Sequence, residues 1–188
     1  GLAASIGIAS LSVYRKLRVG LFFTGDELVE PGASASPGQI YNSNRYTLTG
    51  LLQSMGCEVI DLGNVVDDLE TTKEAIQLAA ARSDLVLTSG GVSVGEEDHV
   101  CTALEELGQL HMWRIAMKPG KPLVYGNVVG IPFIGLPGNP VSVYVTFCLF
   151  VGPYIKAMQG MVDVLPRGIQ VKADFEWQRP GKRREYLR

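Results

Sequence analysis

The sequence predicts an α/β fold, a three-layer sandwich with helices on both faces of a mostly parallel sheet. Three observations predict it. Short apolar runs alternate along the chain with segments of helical periodicity. The apolar runs are continuous, the pattern of strands buried on both faces. Polar or glycine-rich clusters follow the runs, at the strand ends where a parallel sheet binds its ligands.

Residues 1–16 are apolar and small with a weak helical pattern, and read as the tail of a preceding domain or linker. Residues 18–23 (RVGLFF) form a first strand. Residues 24–43, with two prolines and three glycines, read as a long loop of functional type. A helix starts near Asn44 and stops at Gly56, with Leu48, Leu51, Leu52 and Met55 at helical spacing. Residues 58–62 form the second strand. Asp67 or Asp68 caps a helix over 69–82. Residues 84–89 form the third strand, and a glycine-containing turn leads to a helix ending at Leu107. A fourth strand is expected over 110–116. Further strands are expected over 123–125 and 128–136, around a turn at Gly126-Asn127. A turn over 137–140 leads into a helix reaching Met158. The domain is therefore drawn over 17–160. Residues 161–188, with loose alternation over 169–177, read as the incomplete start of a β-rich C-terminal domain. Neither terminus reads as a natural domain edge, so a fragment of a longer chain is expected.

Composition excludes several classes. The chain of 188 residues is 46% hydrophobic and 19% charged, and its 22 glycines show no period, so it is neither collagen-like nor disordered. The net charge of -2 lacks the basic surplus of a nucleic-acid binder. Cys57, Cys101 and Cys148 form no CxxC pair, and His99 and His111 are the only histidines, so no structural zinc site is expected. Scattered thiols suit a reducing cytosol, and a cytoplasmic location is expected. Residues 123–155 carry no charge, but Gly and Pro interrupt them. The helical core of that stretch falls short of the roughly 20 residues a membrane span needs.

Four constellations carry chemistry. Ser89-Gly90-Gly91-Val92-Ser93 opens a loop ending in Glu96, Glu97 and Asp98. Its glycines either let backbone N–H groups approach an anion or simply make a tight strand-to-helix turn. Lys118-Pro119-Gly120-Lys121-Pro122 holds two lysines on a stiffened turn, suited to an oxyanion, with a solvated edge turn as the bland alternative. Arg114 is expected to share the face of Lys118 by period-two alternation. Asp26, Glu27, Asp67, Asp68 and Asp98 fall at successive strand ends. Each suffices as a cap or surface charge, but together beside lysines they read as Mg²⁺ ligands. Pro137-Gly138-Asn139-Pro140-Val141-Ser142 joins a strand to a helix whose N-terminus either holds an anion or is merely capped by Asn139.

These motifs, with Thr24-Gly25-Asp26-Glu27-Leu28 and Gly38-Gln39-Ile40-Tyr41-Asn42-Ser43-Asn44, resemble in order and spacing those of the MoeA-type molybdopterin molybdenumtransferases, the family of the gephyrin E domain. The resemblance covers about 17–160 and implies the molybdopterin-binding-domain fold. It implies insertion of molybdate into adenylylated molybdopterin with release of AMP, with Mg²⁺. By motif position, Glu27, Asp67 and Asp98 correspond to the acidic active-site and metal-binding residues, and Arg114 and Lys118 to the basic ones. Lys118 is assigned to incoming molybdate or phosphate. The family usually has Lys where Arg114 stands, and commonly Ser where Phe23 stands. Thr24, Asp26, Ser89, Gly90, Gly91, Ser93, Lys121, Pro137, Gly138, Asn139 and Ser142 are expected to bind substrate. The resemblance also implies a homodimer whose site is completed by another domain of the second subunit, with molybdenum-cofactor biosynthesis proteins and molybdoenzymes as partners. The alternatives are a molybdopterin adenylyltransferase, which shares the fold, and a non-catalytic molybdopterin-binding scaffold.

Overall fold

The structure is a computed structural model and describes residues 1–92, 99–176 and 181–186. After a single helical turn, α1 (Leu2–Ser5), the strands and helices follow in sequence: β1 (Arg18–Thr24), β2 (Leu28–Val29), β3 (Ile40–Tyr41), α2 (Ser43–Ser54), β4 (Glu58–Val65), α3 (Leu69–Arg82), β5 (Leu85–Ser89) and α4 (His99–Leu107). Then come β6 (Gly108–Trp113), β7 (Met117–Lys118), β8 (Val124–Val128), β9 (Ile131–Leu136), α5 (Pro140–Thr146), a π-helical turn (Phe147–Val151), α6 (Gly152–Met158) and β10 (Arg184–Glu185).

The main sheet has the order β4-β1-β5-β9-β8-β6. Strands β4, β1, β5 and β9 are parallel, whereas β8 is antiparallel to both β9 and β6. The mostly parallel sheet expected from the sequence is present. Alternation along β1 sorts its side chains into two layers. Val19, Leu21 and Phe23 pack with Leu48 and Leu52 of α2 and with Val143, Phe147, Val151 and Ile155 of the last helix. Phe22 points the other way, towards Ala75, Ile76 and Ala79 of α3 and Val100 and Leu104 of α4. Phe23, where the resembled family commonly has Ser, is thus a core residue with no exposed surface.

The chain leaves β1 towards β4 and returns to β5 on the other side of β1. The crevice between the carboxyl ends of β1 and β5 is therefore the topological switch point, where α/β sheets bind ligands.

Several expectations need correction. The turn placed at Gly126-Asn127 lies instead at Val129-Gly130, with φ of 51° and 79°. Two consecutive positive φ values are the signature of a tight hairpin. Gly126 sits inside β8 because a Cβ there would strike the carbonyl of Gln109 on β6. The fourth strand ends at Trp113, not at 116. The helix expected near Asn44 begins at Ser43 and is capped by Asn42, which accepts from Arg45 N–H at 3.1 Å. The long loop contains the parallel pair β2–β3. Residues 169–176 form no strand, and apolar side chains among them, such as Ile169 and Val171, are exposed.

The 19-residue helical run Pro140–Met158 is long and apolar enough to cross a membrane, yet it supplies Val143, Phe147, Val151 and Ile155 to the core. That packing accounts for the apolarity of the face turned to the sheet.

Candidate active site

The carboxyl ends of β1, β4, β5 and β9 border a cavity of about 420 Å³. It is lined by Thr24, Gly25, Glu27, Asp67, Gly90, Gly91, Val92, Pro122, Pro137, Gly138, Asn139 and Ser142. A second cavity of about 280 Å³ shares Thr24, Glu27, Gly90, Gly138 and Asn139 with it, and extends beneath β2 and β3 to Ser89 and Asn44. Residues that follow β1, β4, β5 and β9 therefore converge on one site.

Each wall has a local cause. Gly90 and Gly91 have φ of 99° and 61°. A Cβ at Gly90 would collide with the Thr24 carbonyl oxygen, and one at Gly91 would sit 2.8 Å from Thr24 Oγ1 and from Val100. The glycines are thus required first by the close approach of β5's exit to β1's end. Asp67 is half-buried and accepts the Thr24 hydroxyl at 3.0 Å. Glu27 is exposed and folds back over Gly25, so that a Cβ there would lie 2.5 Å from its Oε2.

The β9 exit is held by a buried network. Ser89 Oγ donates to Pro137 O at 3.0 Å and accepts from Asn44 Nδ2 at 3.0 Å; Asn44 also donates to Gly138 O at 2.8 Å. Ser89, expected to bind substrate, therefore has its hydroxyl proton committed to the Pro137-Gly138 turn. Asn139 accepts from Val141 and Ser142 N–H groups at 3.0 and 3.2 Å. The first amides of α5 are thus already capped, which favours the capping reading of this motif over an anion site.

Not every expected residue reaches the cavity. Asp26 is exposed and outside its lining. Asp68 caps α3, accepting from Thr71 N–H at 2.8 Å and from the Thr71 hydroxyl; these bonds lower its pKa. The lysine turn contributes only Pro122. Lys118 is largely exposed, with Nζ 3.6 Å from Glu185, and Lys121 is also exposed. Arg114 does not share a face with Lys118. Its φ of 76° breaks the strand at Trp113, and its guanidinium lies over the Trp113 ring at 3.9 Å. Ser93 and Asp98 lie outside the described residues.

Sequence reasoning missed Asn44 as a site-building residue. Its motif marked the start of a helix, but the contact with Ser89 spans 45 positions and has no local signature. Asn44 Oδ1 has no hydrogen-bond partner among the described residues.

Among the described residues no three His, Cys, Asp or Glu side chains are grouped as a metal site. Two hard carboxylates do line one cavity, and the second Asp67 oxygen has no partner there among the described residues. Mg²⁺ is commonly held by one or two carboxylates with waters and substrate phosphates completing its shell, so this donor set fits it.

Comparison with known proteins gives a consistent picture. Residues 20–157 match the family described as "Probable molybdopterin binding domain". The chain is 51% identical over 159 residues to the molybdopterin molybdenumtransferase of Haemophilus influenzae, covering 85% of this chain and 39% of that protein. It is 39% identical to the molybdenum cofactor synthesis protein cinnamon of Drosophila melanogaster, covering 85% of this chain and 26% of that one. Among solved structures, the molybdopterin biosynthesis moea protein of Pyrococcus horikosii superposes with a TM-score of 0.77 at 38% identity, over 85% of this chain and 39% of that chain. The chain spans between about a quarter and two fifths of the length of these relatives.

Proposed function

The chain belongs to the molybdopterin-binding domain family, and on that premise we propose that it serves a molybdenumtransferase, which inserts molybdate into adenylylated molybdopterin and releases AMP. The observation that carries this reading is the cavity at the switch point. It has two carboxylates, Glu27 and Asp67, and no Lys or Arg among its described lining residues. A dianionic phosphoanhydride meets net repulsion there unless a cation accompanies it. That supports Mg²⁺ as the cofactor, held by Glu27, Asp67 and, from the resemblance, Asp98. When bound, Mg²⁺ would supply neutralising charge beside the phosphoanhydride.

The chain's own residues do the rest of the work. Gly90, Gly91 and Gly138 put bare backbone on the cavity wall, where a ligand can approach it closely. The Ser89–Asn44 network keeps the Pro137-Gly138 turn in place, so the ligand meets a preformed wall. Lys118, Lys121 and Arg114 are the cations this reading assigns to the anionic substrates, Lys118 to molybdate or phosphate. In this chain they stand outside the cavity, which accords with a site completed by another domain or subunit. A homodimer, partners in molybdenum-cofactor biosynthesis and a cytosolic location belong to the same proposal. They are supported by the family resemblance and, for location, by the sparse, scattered cysteines.

The test is Mg²⁺-dependent AMP release from adenylylated molybdopterin by the full-length protein, with and without molybdate. Molybdate-stimulated release is expected. No release, together with adenylylation of molybdopterin from ATP, would replace the transferase reading with the adenylyltransferase one.

A further inference from the structure

Thr24 is 2% exposed at the end of β1, yet it borders both cavities. Register explains its neighbour. Thr24 pairs with Val65 of β4, and Asp67 follows two residues on. The Thr24 hydroxyl donates to Asp67 Oδ1 at 3.0 Å, since an ionised carboxylate can only accept. Behind the hydroxyl lies Gly91, where even a Cβ would come within 2.8 Å of it. The hydroxyl is thus boxed between the glycine turn and the carboxylate. The other Asp67 oxygen has no hydrogen-bond partner among the described residues.

We propose that Thr24 is a positioning residue, whose buried hydroxyl aims the Asp67 carboxylate so that its second oxygen faces the cavity and a divalent cation. Gly91 then has a second purpose: it leaves the space this hydroxyl occupies. The inference rests on the reading above for what the carboxylate does, but not for how the carboxylate is held. Partners that orient a metal-binding group typically change metal affinity about 10–100-fold when removed.

Two variants of the full-length protein test it. Thr24→Val keeps the shape and loses the hydroxyl, and Thr24→Ser keeps the hydroxyl. High-resolution structures of both report the Asp67 side chain directly, and titration calorimetry with Mg²⁺ reports the consequence. Thr24→Val is expected to turn Asp67 away from its wild-type orientation and to weaken Mg²⁺ binding about tenfold or more. Thr24→Ser is expected to restore both. An unmoved Asp67 in Thr24→Val, or a Thr24→Ser variant as impaired as Thr24→Val, overturns the proposal. A wild-type protein that binds no Mg²⁺ overturns the metal reading alone, and the structures still decide the role of Thr24.

Discussion

At Gly90 a side chain would be driven into the carbonyl oxygen of Thr24, and the backbone already lies at φ 99°. Both penalties fall on any substitution. Gly138, on the opposite wall, has its nearest neighbour at 4.0 Å from a Cβ and no positive φ. Gly90→Ala is therefore expected to lower unfolding free energy by about 3 kcal/mol or more, and Gly138→Ala by less than about 1 kcal/mol, as read by urea denaturation. Equal losses would show that the β1–β5 approach is not what Gly90 serves. The sequence marked both glycines but could not separate them. The difference depends on which backbone stands opposite, and Thr24 is 66 positions from Gly90.

Arg45 ties the segment over the second cavity to the sheet. From α2 it reaches Glu30 at 2.9 Å and Asp61 of β4 at 2.7 Å. The bond to Asp61, with Glu30 beside it, raises its pKa, so the guanidinium keeps its charge at any ordinary pH. Within the segment, Ile40 N–H donates to Glu27 O and Asn42 N–H to Val29 O, and the Asn42 side chain adds a second tie to β4 by donating to Asn64 at 2.6 Å. Arg45→Ala is expected to speed amide hydrogen exchange at Ile40 and Asn42 by tenfold or more, a change of about 1.4 kcal/mol in local opening, and to leave β5 amides unchanged. Exchange at Ile40 and Asn42 equal to wild type would mean that the β2–β3 pairing closes the cavity unaided. Helices with strong caps were legible at this scale: α3 behind Asp68 and α5 behind Asn139 with Pro140 at its first turn. The β8–β9 turn was not, because Asn127 and Gly126 carry the usual turn residues while the chain reverses at Val129. The glycine is spent on passing β6, a packing demand that no local pattern records.

At the scale of the whole molecule, an ion pair between Arg15 and Asp84 joins the N-terminal segment to the start of β5. Arg15 meets both oxygens of Asp84 at 2.6 Å, and Arg18 N–H donates to the same carboxylate at 2.8 Å. The Arg15 hydrogen bonds first, then the Arg18 amide and both positive charges, hold the Asp84 carboxyl down to about 2. An unfolded Asp titrates at about 3.9, so the native state binds fewer protons between these values. The stabilisation is complete above pH about 4 and is lost as pH falls towards about 2. Asp84→Asn is expected to flatten the fall in melting temperature across that window. A variant that follows the wild-type curve would assign acid unfolding to other carboxylates. This contact holds Arg15, outside the expected domain edge at Leu17, against the fold.

By itself the sequence determined the layer order, most strands and helices, and the motifs that gather at one sheet edge. Those depend on periodicity, capping and glycine placement, all written within a few residues. Only the tertiary structure decided which candidates face the cavity. It committed Ser89 to Pro137 and Asn44, Asp68 to its helix, and Arg114 to Trp113, and it joined Thr24 to Asp67. Hydrogen-bonding capacity is finite, and whether a polar group is already spent depends on neighbours tens of residues away that only strand register brings near.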